Sequence, residues 1–318
     1  MATSTGLGGG FGIGKESTYG TAVARAVWLY ASSLGLKRTI EFGERDNLAS
    51  GGGVRRHKRY ISADNVGGAI NGGLTYENHG MVLEACFNNA VSTTGAGPYV
   101  HTYTLGTTEL SHTIEQIRGD STNSEVFEGC TVESWELSIS SGGQTMLSTT
   151  WIGETSAARA AKGTFTAGNG DEPVYHDDYS TLSWNSNTLD LYELRIRVTN
   201  SKVRRQPLGS TTTKQPGISG FREIEVEFTV QHLDNDTPYA NFLAEIEADA
   251  TITATGSGNN VCAITIQNME ITDVSDPIDS AGIILQRITA RVRSDGTDHG
   301  LKFVMTNDTV SGIGAGPP

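Results

Sequence analysis

Apolar and polar positions alternate with period two at several places along the chain: Trp135, Leu137 and Ile139; Ile264 and Ile266; Met269 and Ile271. Successive side chains of a strand point to opposite faces, so this spacing predicts strands with one buried face. Two segments break the pattern. Glu77 to Asn89, with Met81, Val82, Ala85 and Cys86, and Thr237 to Asp249, with Tyr239, Phe242, Leu243 and Ile246, carry apolar residues at helical spacing and predict short amphipathic helices. Thr237 as N-cap, Pro238 at the first helical position and the negative charge of Asp236 define the second start.

The elements come twice in the same order. A strand with Ile70, Leu74 and Tyr76 leads into the first helix, and a pair through Trp135 to Ile139 and Met146 to Ile152 follows. Ile224, Val226, Phe228 and Val230 lead into the second helix, followed by Met269 to Ile271 with Ile284 to Val292. Each half carries a basic stretch ahead of its helix, Val54 to Tyr60 (VRRHKRY) and Lys202 to Pro207 (KVRRQP). This order predicts an internal duplication: two β domains over residues 21–155 and 181–310, each with one short helix. Ser156 to Asp178, rich in small residues and then acidic, predicts a linker over 156–180. Gly6, Gly8, Gly9, Gly10, Gly12 and Gly14 predict a mobile arm over residues 1–20 that orders on a neighbour, and 311–318 a similar tail.

Composition agrees with a mainly β chain. Of 318 residues, 36% are apolar and only 19% charged, leaving a balance of Gly, Ser, Thr and Asn that favours short strands and turns. The formal charge of −13 argues against a uniform grip on nucleic-acid phosphates and suits a surface past which a duplex slides. Cys86, Cys130 and Cys262 are far apart among apolar neighbours and read as buried thiols, with no disulfide framework. The first residues hold no basic segment followed by an apolar one, and Ala22 to Ala31 is short and interrupted by Arg25, so the expectation is a chain without a membrane helix, held in the cytosol until assembly.

Candidate chemistry is sparse. Gly9 to Glu16 (GGFGIGKE) places Gly14 and Lys15 like a phosphate loop, but Glu16 stands where a metal-binding hydroxyl is needed, so the flexible arm is the better reading. His176 with Asp177 and Asp178, and His232 with Asp234 and Asp236, group possible metal ligands but lack the spacing of a calcium loop, and turns also favour these residues. His101 and His112 flank a strand, and no serine or cysteine sits in a nucleophile elbow, so no catalytic, cofactor or metal residue is assigned. The run Arg55, Arg56, Lys58, Arg59 lacks base-stacking aromatics apart from Tyr60. Together with Arg204 and Arg205 it reads as a contact loop that docks on an acidic surface of an adjacent copy, with a merely solvated loop as the alternative.

Glu16 to Val23 (ESTYGTAV), His101 to Leu105 (HTYTL), Phe127 to Leu137 (FEGCTVESWEL) and Gly220 to Glu223 (GFRE), in this order, resemble the bacteriophage tail tube protein family over nearly the whole chain. The resemblance implies a β-sandwich with a helix and a long loop, joined edge to edge into a ring with an inner β-barrel, and rings that stack into the hollow conduit for viral DNA. With two such domains fused, three chains make a pseudo-hexameric ring; six chains do so if the second half is a decoration. It implies a virion tail location, other tail proteins at the tube ends, DNA passing without specific binding, and no catalytic residues. A receptor-binding or decorating β-sandwich of a virion is the competing reading; it would expose an aromatic patch or pocket and stay a small closed oligomer.

Overall fold

The computed structural model describes residues 9–43, 59–117, 124–159, 172–185, 187–232, 237–275, 284–293 and 300–308. In chain order the elements are β1 (Gly10–Lys15), β2 (Val27–Tyr30), β3 (Ser33–Leu34), β4 (Lys37–Gly43), β5 (Tyr60–Gly73), α1 (Gly80–Phe87), β6 (Ser92–Thr94), β7 (Tyr99–Thr104), β8 (His112–Ile117), β9 (Ser124–Ser140), β10 (Met146–Gly153) and β11 (Thr155–Ser156). A 3₁₀ turn at His176–Asp178 follows, then β12 (Leu182–Trp184), β13 (Asn187–Leu189), β14 (Leu191–Thr199), β15 (Lys202–Arg205), β16 (Lys214–Ile218), β17 (Glu223–Gln231), α2 (Thr237–Leu243), β18 (Glu247–Thr255), β19 (Val261–Ser275), β20 (Leu285–Val292) and β21 (Leu301–Asn307). The chain is mainly β, as its alternation predicts.

One antiparallel run, β4–β5–β10–β9–β14–β17–β20–β19, crosses the molecule. Its inward positions are apolar, such as Ile70, Leu137, Ile196, Val226 and Ile288, and its outward positions are polar or small. The remaining strands pack around it: β2–β1–β8 continues onto the N-terminal part of β9, and β6–β7–β21 onto the N-terminal part of β19, whose other side holds β18 and β12. Their apolar faces meet in a single core that includes Trp151, Trp184, Phe127 and Phe303.

One pairing irregularity occurs twice along the sheet. In β9, Glu133 is skipped in the pairing with β10, where Val132 faces Trp151 and Ser134 faces Thr150. In β19, Thr272 is skipped in the pairing with β20, where Ile271 faces Ala290 and Asp273 faces Thr289. A bulge bends its strand locally and is not placed by chance. From this shared point Thr149 corresponds to Ile288, then Ile70 of β5 to Phe228 of β17, and Leu34 of β3 to Leu194 of β14.

Several expectations are corrected. The first helix is not amphipathic: all residues of α1 are buried, and its one carboxylate, Glu84, is paired with Lys15 Nζ at 2.7 Å. It starts at Gly80 and stops at Asn88, whose φ of 54° ends the turn in a left-handed conformation. The second helix ends at Leu243, because Glu245 takes a φ of 51° and Glu247 already begins β18. Nor is Gly10–Lys15 part of an arm; it forms β1, paired with β2 and β8 on its two sides. The glycines serve close approach: a Cβ on Gly12 would lie 2.7 Å from the Trp28 ring, and one on Gly14 would collide with the Ala24 carbonyl. The end of the expected linker is also built in, with Val174 fully buried and Tyr179 bridged to Ala254.

Candidate functional site

The motifs that stand far apart in the sequence meet in space. The carboxylate of Glu16 accepts the hydroxyl of Thr113 at 2.9 Å, the amide of Gly129 at 2.9 Å and the amide of Gly20 at 3.0 Å. It thereby ties the ESTYG turn to the glycine of FEGC, where Gly20 and Gly129 both take positive φ. Arg222 of GFRE donates through Nη2 to the Gly106 carbonyl, just after HTYTL, at 2.7 Å, and through Nε to Asn200 Oδ1 at 2.9 Å. Asn200 Nδ2 donates to the Val132 carbonyl, and Trp135 Nε1 to the Cys86 carbonyl at 3.0 Å. Phe87, at the end of α1, packs its ring against Tyr103, Trp135 and Phe303. These contacts are structural: they fix where β9 and β14 meet.

The open face of the long sheet is the more informative surface. Glu136 of β9 accepts Arg195 Nε at 2.8 Å and Arg197 Nη2 at 3.0 Å. Arg195 reaches Glu227 at 3.7 Å, Arg197 reaches Glu225 at 3.9 Å, and Glu225 reaches Arg291 at 3.9 Å. Opposite charges therefore alternate strand by strand from β9 through β14 and β17 to β20, and the Glu136 hydrogen bond raises the Arg197 pKa above its ordinary value. A concavity of about 440 Å³ opens on this face, lined among others by Ser138, Ser140, Glu193, Arg195, Glu227 and Arg287. On β5 and β10 of the first half the outward positions are uncharged: Ala69, Asn71, Ser148 and Thr150. An acidic wall is not what the sheet presents; arginines and glutamates compensate one another.

The sheet has two edges. At one end, among the described residues, β4 pairs with β5 alone, its residues Lys37 to Phe42 are exposed, and Ile40 and Phe42 leave 37% and 46% of their surface open. Arg38 is held by Asp64 through two hydrogen bonds of 2.8 and 2.5 Å. At the other end, among the described residues, no strand covers the outer side of Asp273 to Ser275 in β19. A long exposed edge with apolar side chains is a template for another strand.

The predicted contact residues fall in sequence between β4 and β5 and between β14 and β17. Arg55, Arg56 and Lys58 lie outside the described residues, while Arg59 sets its guanidinium 4.1 Å from the Phe42 ring centroid. Arg204 and Arg205 sit on β15, in the hairpin with β16; Arg204 Nη2 donates to the Val66 carbonyl at 2.7 Å and Arg205 Nε to the Gln215 carbonyl at 2.8 Å. Both thus make bonds within the chain. Of the weighed metal clusters, Asp178 accepts the Tyr76 hydroxyl and the Tyr175 amide, acting as a turn cap, while Asp234 and Asp236 lie outside the described residues. Lys15 and Glu16 are engaged with Glu84 and the Gly20–Thr113–Gly129 cluster, so the phosphate-loop likeness is incidental. Sequence reasoning missed the Arg–Glu ladder, although its signal was present as alternating charges at Glu193, Arg195 and Arg197 opposite Glu223, Glu225 and Glu227.

All three cysteines are buried free thiols. No helix among the described residues is long and apolar enough to cross a membrane. No curated protein matches the chain. A family model described as phage tail tube protein matches residues 6–292. With the open sheet, its paired bulges and the meeting of the quoted motifs, this match establishes that the chain belongs to the phage tail tube protein family.

Proposed function

We propose that the chain is the building block of a tail tube: copies join edge to edge into rings, the rings stack, and the open face of the long sheet lines the bore through which viral DNA passes. The observation that carries this reading is a long antiparallel sheet in which, among the described residues, β4 has no partner on its outer side and Asp273 to Ser275 of β19 have none on theirs, in a chain of this family. Such edges need partners, and closing a sheet through copies of itself removes them. The duplication favours three copies per ring, each supplying two equivalent sets of strands, and head-to-tail contacts between rings extend into an open filament.

The bore wall in this reading handles DNA without holding it. Arg195, Arg197 and Arg291 each have a carboxylate neighbour, so their charge is offset before a phosphate arrives, and β5 and β10 add small neutral groups. Arg55, Arg56, Lys58 and Arg59, on the connection between β4 and β5, fit a contact between stacked rings; Arg204 and Arg205 would add to it only with the donors left over from their internal bonds. Before assembly the subunit resides in the host cytoplasm, and other tail proteins cap the tube ends.

Negative-stain electron microscopy of the purified, concentrated protein tests the reading. Hollow tubes or stacked rings of uniform width are expected. A discrete closed oligomer with no stacking would instead favour the receptor-binding or decorating role.

A further inference from the structure

The junction between the two halves joins two strands by their edges inside one chain. Inside the chain, β9 pairs with β14 directly after the Glu133 bulge: Ser134 faces Thr199, Trp135 faces Val198 and Glu136 faces Arg197. The second half repeats the first member of this junction. After the Thr272 bulge, Asp273, Val274 and Ser275 occupy the places of Ser134, Trp135 and Glu136, with no strand paired to their outer side among the described residues. The first half repeats the second member. Through the matched pairs Ile70–Leu34 and Phe228–Leu194, the residues Lys37, Arg38 and Thr39 occupy the places of Arg197, Val198 and Thr199. The buried Leu36 then stands where the buried Ile196 does.

We infer that Asp273, Val274 and Ser275 of one copy pair antiparallel with Thr39, Arg38 and Lys37 of the next, Asp273 opposite Thr39 and Ser275 opposite Lys37. The partner is a second copy of this chain, and the inference rests on the assembly reading above. Charge supports the choice: the donor edge carries Asp273 and the receiving edge Lys37, while Arg38 is already held by Asp64. Because the outer junction repeats the inner one, each copy adds two equivalent sets of strands, and the three copies of the assembly reading place six around the ring.

The test is a cysteine pair in the full chain. Directly opposed residues of antiparallel strands have Cα atoms about 4.5–5.5 Å apart, within the reach of a disulfide, whereas a slip of two residues moves them to about 7–8 Å. The native cysteines are buried and do not compete. Ser275→Cys with Lys37→Cys, assembled under reducing conditions and then oxidised, should give cross-linked dimers and a covalent trimer as the largest species on a denaturing gel. Asp273→Cys with Thr39→Cys should do the same, and serves if the first pair disturbs assembly. Asp273→Cys with Lys37→Cys should not cross-link. Cross-linking of this last pair alone overturns the register, and a ladder that continues past three overturns the ring size. Hydrogen exchange on the unmodified protein gives an independent readout: residues 37–39 and 273–275 should gain protection on assembly. Rings without that protection refute the seam while the assembly reading stands, and a wild-type chain that never forms rings removes both.

Discussion

At the residue scale, buried polar groups tie distant segments of the chain together. Glu16 is the clearest case, since one buried carboxylate satisfies two backbone amides and a hydroxyl from three segments. Glu16→Ala leaves the Gly129 amide and Thr113 without that partner, and a loss of about 1–3 kcal/mol is expected in urea unfolding. Acid should act through the buried histidines. Burial lowers His79 to about 4 and His112 to about 3, from an ordinary 6.5. His79 Nδ1 faces the Thr75 amide at 3.1 Å and hydroxyl at 2.8 Å, while neither ring nitrogen of His112 has a hydrogen-bond partner among the described residues. Below pH 6.5 the unfolded chain takes up protons that the folded chain refuses. Their contribution is therefore whole above that pH and is lost as pH falls toward 4 and 3. Melting temperature should hold from pH 8 to 7 and fall steadily from 6 to 4, and His79→Gln should make that fall shallower.

At the scale of elements, composition misled where glycine was read as freedom. Gly12 and Gly14 allow β1 to lie close against Trp28 and the Ala24 carbonyl, so the same residues that suggested an arm make a central strand. Gly14→Val should cost about 1–3 kcal/mol by calorimetry, as overpacking does in a filled core, whereas a residue in a mobile arm would tolerate it. Alternation located β9, β10, β17 and β19 because each buries one face, and period two survives any detail of tertiary packing. The first helix showed its existence but not its setting: Met81, Val82, Ala85 and Cys86 looked like one apolar face, yet the opposite side is covered too, with Glu84 neutralised by Lys15 from β1. No local pattern reports a partner that distant in the chain.

At the scale of the molecule, the bore reading makes the charge ladder a matter of balance. Replacing Glu136, Glu225 and Glu227 together by Gln releases Arg195, Arg197 and Arg291 from their partners. Wild-type assemblies should show no retention of a short DNA duplex in a sedimentation assay. The triple variant should retain it at low salt and release it as ionic strength rises, because phosphate contacts weaken with counterion concentration. Retention equal to wild type would place this face away from the DNA.

By itself the sequence determined the mainly β character, the two helices, the order of elements in each half, and the motifs that resemble the tail tube family, all of which rest on local spacing or residue type. Only the tertiary structure decided that the halves share one sheet through β9 and β14, that both carry a bulge at the same point, and that Glu136 faces Arg195 and Arg197. Pairing between strands depends on residues some sixty positions apart, as Glu136 and Arg197 are (a separation of 61), and alternation within one strand gives its faces but not its neighbour.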